Sequence, residues 1–475
     1  MRLAMARLAK ILVAPGQSSM FDTPLQIGVT QLKPGQPITI SAFVEHSSGR
    51  FESSAHYVAD NGGNVDLTTA RSVGGSYSGV HPMGLFWSLH QSPSQRAGLR
   101  LLPRDVSHAI IYTLSVYDDH TKSISIDDPC LARCQLHRHF MHPDVSRHEV
   151  CVGRVRGGLF VPKSHTTGPR PAPACIDLFG TAGGLVQHRA ALLASHGFVV
   201  LSLAYFGYKD TPSLEDLSLD YFQEAINYLQ SRPEVHAPDG VGMIGVSLGA
   251  SIALMAGVKC ENVKSVAWIN GYNFWDAFFP IQVDGKKFPV PGPGDLELLQ
   301  KLYGVDERKV LIYRPYLETV KVDDRTELPI ECAPPDRRFL LLASADDQSA
   351  NALSSAKSLL ARSIKAGRSG MLFHRGLRSP SVIQFVVFAC HTDGRVRVEE
   401  FANAGHLLEP PYIPHAASTW HKVVGRHMLW GGTSEGHAAA QVKMWKILRE
   451  FFAETLGEPV PMRDASDVWL ERSKL

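Results

Sequence analysis

The pattern of apolar and polar positions changes rhythm near residue 145. Before that point, short β-branched and aromatic runs such as Ile38–Val44 and Ala109–Tyr117 are punctuated at Gly74-Gly75, Pro82 and Gly84. Helical periodicity is scarce there, and Ile11–Pro15 reads as the first strand. Strands at this spacing predict an N-terminal β-sandwich over 10–145. Beyond it, Val150–Val161, Cys175–Phe179, Phe198–Ala204, Val241–Ile244, Val263–Ile269, Phe339–Ala343 and Arg395–Phe401 read as strands. Tyr221–Gln230, Ala250–Gly257, Ala350–Ala366 and His437–Phe452 read as helices between or after them. The alternation predicts an α/β domain over 146–475, a mostly parallel sheet with helices on both faces. Residues 272–330, rich in Pro, Gly and charge, break the alternation and read as a lid or excursion over a site.

Composition narrows the function classes. The 475 residues are 44% hydrophobic and 20% charged, enough for substantial cores. Forty-eight basic against 46 acidic residues leave no electrostatic footprint for nucleic acid. The most conspicuous apolar run, Val382–Cys390, is far too short to span a membrane. Seven scattered cysteines, an odd number, argue against a disulfide framework and for a reducing compartment. The chain ends in Ser473-Lys474-Leu475, the address read by the peroxisomal import receptor, so the peroxisome is the expected location. Arg2, Arg7 and Lys10 in an acid-free stretch of 21 residues keep a mitochondrial leader as the alternative, with the cytoplasm behind it.

The candidate chemistry centres on Gly245-Val246-Ser247-Leu248-Gly249. A G-x-S-x-G between a strand and a helix forms a nucleophile elbow, where both flanks must be glycine because the turn is so tight. A serine needs a base, and the base an orienting acid, in the chain order Ser, acid, His. The acid is expected after a late strand, at Asp347 with Asp346 as the fallback; the base is expected after the last strand, at His406. His188, His415 and His421 read as packing or surface residues. Two backbone N–H groups must hold the oxyanion, one from Leu248 and one from the glycine-bearing loop Phe179–Gly184, where Thr181 is the choice. Cys130, Cys134, His137, His139 and His142 could ligate zinc, but their irregular spacing in the connection between domains reads as a polar linker. No metal and no cofactor is expected.

These residues resemble the acyl-CoA thioesterase / bile acid-CoA:amino acid N-acyltransferase family over nearly the whole chain. The resemblance rests on Gly74-Gly75-Ser76-Tyr77-Ser78-Gly79, Pro82-Met83-Gly84-Leu85, Gly153-Arg154-Val155-Arg156-Gly157 and Asp177-Leu178-Phe179-Gly180-Thr181. It continues through Asp346-Asp347, Gly405-His406, Glu409-Pro410-Pro411-Tyr412 and Trp430-Gly431-Gly432. It implies a β-sandwich before an α/β-hydrolase domain and a Ser/Cys-Asp-His triad acting on acyl-CoA thioesters, which falls on Ser247, Asp347 and His406. A cysteine would store the acyl group as a thioester ready for capture by an amine; serine at 247 favours water, and hence an acyl-CoA thioesterase over an N-acyltransferase. The stretch around Gly370–Gly394 makes the chain about two dozen residues longer than the family pattern, which is long for one connection. It reads as an added hairpin or as a segment foreign to the mature protein, and if it displaced the last strand the chain would be a catalytically impaired binder of CoA esters.

Overall fold

The computed structural model describes residues 9–93, 98–121, 124–163, 171–276, 278–292, 294–302, 310–367, 370–373 and 395–472. Ser473-Lys474-Leu475 and residues 374–394 of the surplus stretch lie outside the described residues. Two compact units are present: Met1–Pro143 with Pro411–Ala416 and Arg463–Leu475, and Asp144–Pro410 with Ala417–Met462. The first unit thus takes in two short stretches from the far end of the chain, which a linear boundary does not foresee.

In the first unit a three-stranded sheet runs Lys10–Ala14, Gln26–Thr30, Val65–Asp66. A larger sheet is ordered Ser18–Met20, Ala132–His139, Ile110–Asp118, Pro37–His46, Gly49–Val58, Gly74–Gly75. Along Pro37–His46 the period-two pattern buries Ile38, Ile40, Ala42 and Val44 on one face. The segment read as a polar linker around Cys134 and His137 is instead the strand Ala132–His139, with Leu136 and Arg138 buried. Its charge masked a β pattern. The Arg138 guanidinium is satisfied by Ser19 Oγ and the carbonyls of Phe21 and Thr23, and lies over the Phe21 and Phe86 rings. No group of three potential metal ligands occurs among the described residues.

The second unit is built on a nine-stranded sheet. Its strands are β1 (Val145–Val152), β2 (Val155–Pro162), β3 (Ala174–Leu178), β4 (Val199–Ala204), β5 (Val241–Val246), β6 (Val263–Ile269), β7 (Arg338–Ser344), β8 (Gly370–Phe373) and β9 (Val396–Phe401). They are ordered β1-β2-β4-β3-β5-β6-β7-β9-β8, antiparallel for β1, β2 and β4 and parallel from β4 onward. Helices α1 (His188–Ala194), α2 (Leu219–Gln230), α3 (Leu248–Lys259), α4 (Ala352–Lys365) and α5 (Ser434–Leu456) accompany it. Every residue of β3, β4 and β5 is buried, as parallel strands covered on both faces require. This is the α/β-hydrolase arrangement, with β8 added at one edge.

Two expectations change. The run read as one strand, Val150–Val161, is a hairpin that turns at Gly153, whose φ of 52° lets the chain reverse between paired Val152 and Val155. The described part of the surplus, 370–373, pairs parallel to β9 and so extends the sheet, whereas a hairpin with β9 would pair antiparallel. Strand β9 keeps an unbroken parallel register with β7, from Phe339 opposite Val396 to Ser344 opposite Phe401. Among the described residues the excursion between β6 and β7 carries short pieces, including Ile281–Val283, Leu296–Leu302 and Arg314–Leu317.

Candidate active site

Strand β5 delivers Ser247 to the carboxyl end of the sheet, where φ 58° and ψ −126° hold it in a backbone region that few side chains adopt. The turn survives because its flanks lack side chains. A Cβ at Gly245 would sit 2.0 Å from the Gly249 carbonyl oxygen, and one at Gly249 would sit 2.4 Å from that of Phe179. Ser247 N–H donates to Ile269 O at 2.9 Å, and the Ser247 carbonyl accepts from Ala250 N–H as α3 begins. Leu248 is the first helical residue, so its N–H is among the donors a helix start leaves unpaired.

The loop after β3 lies against this elbow. A Cβ at Gly180 would be 2.9 Å from Ser247 Cβ and 3.4 Å from its hydroxyl. Only glycine permits that approach. Tyr205, just after β4, braces the loop through its hydroxyl, which donates to Phe179 O at 2.5 Å. Beneath it Arg189 of α1 pairs with Asp177 of β3 and donates to Leu178 O at 2.9 Å, with both side chains 3–4% exposed.

Asp347 and His406 meet at the other side, 59 residues apart in sequence. Asp347 Oδ2 lies 2.8 Å from His406 Nδ1, while Oδ1 accepts the N–H groups of Ser349 and Ala350, each at 2.8 Å. A carboxylate at Nδ1 keeps the proton there and leaves Nε2 as the basic nitrogen. Both residues are at most 1% exposed. Asp346 turns elsewhere, toward Gln348 Nε2 at 2.7 Å and Gly432 N–H at 2.9 Å.

The loop carrying His406 is held from three directions. Its N–H donates to Trp430 O at 2.8 Å, and its ring stacks on the Trp430 indole with centroids 5.4 Å apart. Asn270, at the end of β6 with φ 50°, donates from its side chain to His406 O and to Ser344 Oγ. His437 of α5 accepts Gly405 N–H at Nδ1 and contacts Leu407 O through Nε2.

Tyr272 adjoins both Ser247 and Asp347. Burial, and then the negative charges of Asp276 and Asp347, push its phenol well above the ordinary range, opposed by a hydrogen bond with the Ser247 side chain. Among the described residues no hydrogen bond joins the Ser247 hydroxyl to the His406 ring. Serine–base bonds are often long without substrate.

Thr181 is tied to a residue that sequence reasoning passed over. Its Oγ1 lies 2.8 Å from His421 Nε2, across 240 positions of sequence. His421 Nδ1 accepts Val424 N–H, so the ring proton is on Nε2 and is donated to the threonine hydroxyl. Burial, and then the His406 charge, lower the His421 pKa to about 4, so its ring is neutral at neutral pH. The ring also packs on Trp430, with centroids 6.0 Å apart. His188 is not a surface residue either: it pairs with Glu409 at 3.1 Å, both side chains 3% exposed. Neither contact is visible locally, although His421 ends a short strand shortly before Trp430-Gly431-Gly432.

The arrangement therefore holds a strained serine beside a glycine loop and a carboxylate–imidazole pair, a set suited to acyl transfer through a serine ester. Residues 22–152 match the family described as "Acyl-CoA thioester hydrolase/BAAT N-terminal region", and residues 217–373 and 389–458 match "BAAT / Acyl-CoA thioester hydrolase C terminal". The gap at 374–388 falls inside the surplus stretch. "Acyl-coenzyme A thioesterase 1" of Homo sapiens is 34% identical over 462 residues, 94% of this chain and 97% of that protein. "Acyl-coenzyme A thioesterase 2, mitochondrial" of Homo sapiens is 34% identical, covering 95% of this chain and 86% of the relative. "Bile acid-CoA:amino acid N-acyltransferase" of Mus musculus is 35% identical, covering 94% and 98%. A solved Pyrococcus horikoshii acylaminoacyl peptidase aligns at TM-score 0.40 and 12% identity over 97% of this chain and 81% of that one. The two family regions and these full-length relatives place the chain in the acyl-CoA thioester hydrolase/BAAT family.

Proposed function

We propose that this protein is an acyl-CoA thioesterase that hydrolyses fatty acyl-CoA to free acid and CoA through Ser247, His406 and Asp347. His406 Nε2 takes the Ser247 proton as Oγ attacks the thioester carbonyl, and Asp347 orients the ring and stabilises the imidazolium. The N–H groups of Leu248 and Thr181 receive the oxyanion. The C–S bond breaks and CoA departs as a thiol protonated by His406, an easy step because a thiol pKa is near ~8.5. Water deprotonated by His406 then attacks the acyl-serine, which releases the acid and restores the hydroxyl.

The observation that carries this reading is Ser247 itself, a serine on the strained elbow with the Gly180 backbone against it. An oxygen ester is a poorer acyl donor to an amine than the thioester a cysteine would form, which favours activated water as the acceptor and hydrolysis over amide formation. The deciding experiment incubates the protein with palmitoyl-CoA, with and without glycine or taurine, and separates products by mass spectrometry. Free palmitate in all reactions supports the reading; an N-palmitoyl amino acid as the main product makes the protein an N-acyltransferase. Ser473-Lys474-Leu475 supports delivery to peroxisomes by the import receptor. A fluorescent fusion that stays peroxisomal after these three residues are removed refutes that address.

A further inference from the structure

Beside the oxyanion loop lies a cleft of 290 Å³ that the acyl-transfer chemistry does not use. Its walls include Ala182, Gly183, Phe206, Leu214, Lys422 and Val423. Ala182 directly follows Thr181, and Lys422 directly follows His421, the histidine bonded to Thr181. Lys422 thus follows directly on a ring that packs against Trp430, the residue stacked on the His406 ring. Side chains are absent where the cleft is open: a Cβ on Gly184 would meet nothing within 4 Å. The Lys422 side chain is exposed and pairs with no carboxylate among the described residues.

A leaving group departs on the side of the histidine that protonates it. The cleft is linked to that histidine through His421, which precedes Lys422 and packs on the Trp430 indole against which the His406 ring stacks. In a CoA thioester the leaving group is a long amide-bearing arm that ends in phosphates, so a mostly apolar cleft with an unpaired cation at its rim matches it in polarity and charge. We propose that the cleft receives the phosphopantetheine arm of CoA and that the Lys422 ammonium meets its phosphates. This rests on the reading that Ser247 attacks a CoA thioester.

The test compares the parent with Lys422→Ala and Lys422→Glu on two thioesters of one acyl group, palmitoyl-CoA and palmitoyl-N-acetylcysteamine, the second lacking phosphates. The KM for palmitoyl-CoA rises about fivefold in Lys422→Ala and further in Lys422→Glu at low salt, with kcat unchanged. The KM for the phosphate-free thioester stays constant. Calorimetric titration of Ser247→Ala protein, with and without Lys422→Glu, by free CoA and by pantetheine repeats the comparison without turnover. Equal CoA affinity in the two proteins, no CoA binding at all, or equal losses for CoA and pantetheine overturns the assignment. Lys422-dependent CoA binding in a protein that hydrolyses neither thioester keeps the cleft and removes the reading of Ser247.

Discussion

Replacing Asp347 by Asn keeps the shape of the site and inverts its proton logic. The carboxylate has both oxygens engaged, Oδ1 by the N–H groups of Ser349 and Ala350 and Oδ2 by His406 Nδ1. Asparagine keeps its carbonyl oxygen on the two N–H groups, since its amide nitrogen cannot accept them. That amide nitrogen then faces His406 Nδ1 as a donor, forces Nδ1 to accept, and moves the ring proton to Nε2. A protonated Nε2 cannot take the Ser247 proton. The same inversion in a serine triad costs about 10⁴ in kcat. About a thousandfold to ten-thousandfold is expected here, or roughly 4–5.5 kcal/mol of barrier. Folding changes far less, by about 1–3 kcal/mol, because the two N–H bonds persist and the third re-forms with its direction reversed and without the charge. The assay is thiol release from saturating palmitoyl-CoA, with a urea melt to show that the variant is folded. Asp346→Asn is the control, since among the described residues the Asp346 carboxylate reaches Gln348 and Gly432 and not His406. A folded Asp347→Asn variant with more than a tenth of the parent kcat, or a loss confined to Asp346→Asn, refutes the assignment.

Three further outcomes follow from contacts around the loop after β3. His421→Ala frees Thr181 and lowers kcat about 10- to 100-fold with little change in KM, because a small displacement of an oxyanion donor is costly; His421→Gln restores much of it by placing an amide N–H where Nε2 was, and no such rescue would mean that His421 only packs. Arg189→Met leaves the Asp177 carboxylate buried without its partner and lowers stability by about 3–5 kcal/mol in urea melts, most of it recovered when Asp177→Leu is added; a loss under about 1 kcal/mol contradicts the pairing shown at β3. The folded His421 pKa, about 4 through burial and then the His406 charge, lies below its ordinary 6.5, so the unfolded chain takes this proton first as the pH falls. Its contribution to stability is complete above pH 6.5 and is lost as the pH falls toward 4, so the parent Tm drops relative to His421→Gln over that window, and a constant difference would contradict the burial of the ring.

Local pattern carries the α/β framework because β5 is a short apolar run leading into an elbow that needs glycine at fixed offsets, all within about a dozen residues. Asp347 and His406 were accessible through order alone, each falling after a late strand. What local pattern does not carry is contact across long separations. His421 looked unremarkable because its partner Thr181 lies 240 positions away, and Asn270 and His437 act on the histidine loop through tertiary contacts of the same kind. The hairpin at Gly153 was hidden because the apolar runs on both sides merge across a two-residue turn. The strand Ala132–His139 is hidden in the sequence because its outward positions are charged or polar and its cysteine and histidines obscure the alternation.

Everything in the mechanism turns on whether Ser247 carries the acyl group. Protein mixed with palmitoyl-CoA, quenched in acid within the first turnover and digested, is read by mass spectrometry for the peptide that contains Ser247. A palmitoyl ester on that serine, present in the parent and missing in Ser247→Ala, is the expected result. An unmodified Ser247 during turnover, or an acyl group on another residue, contradicts it.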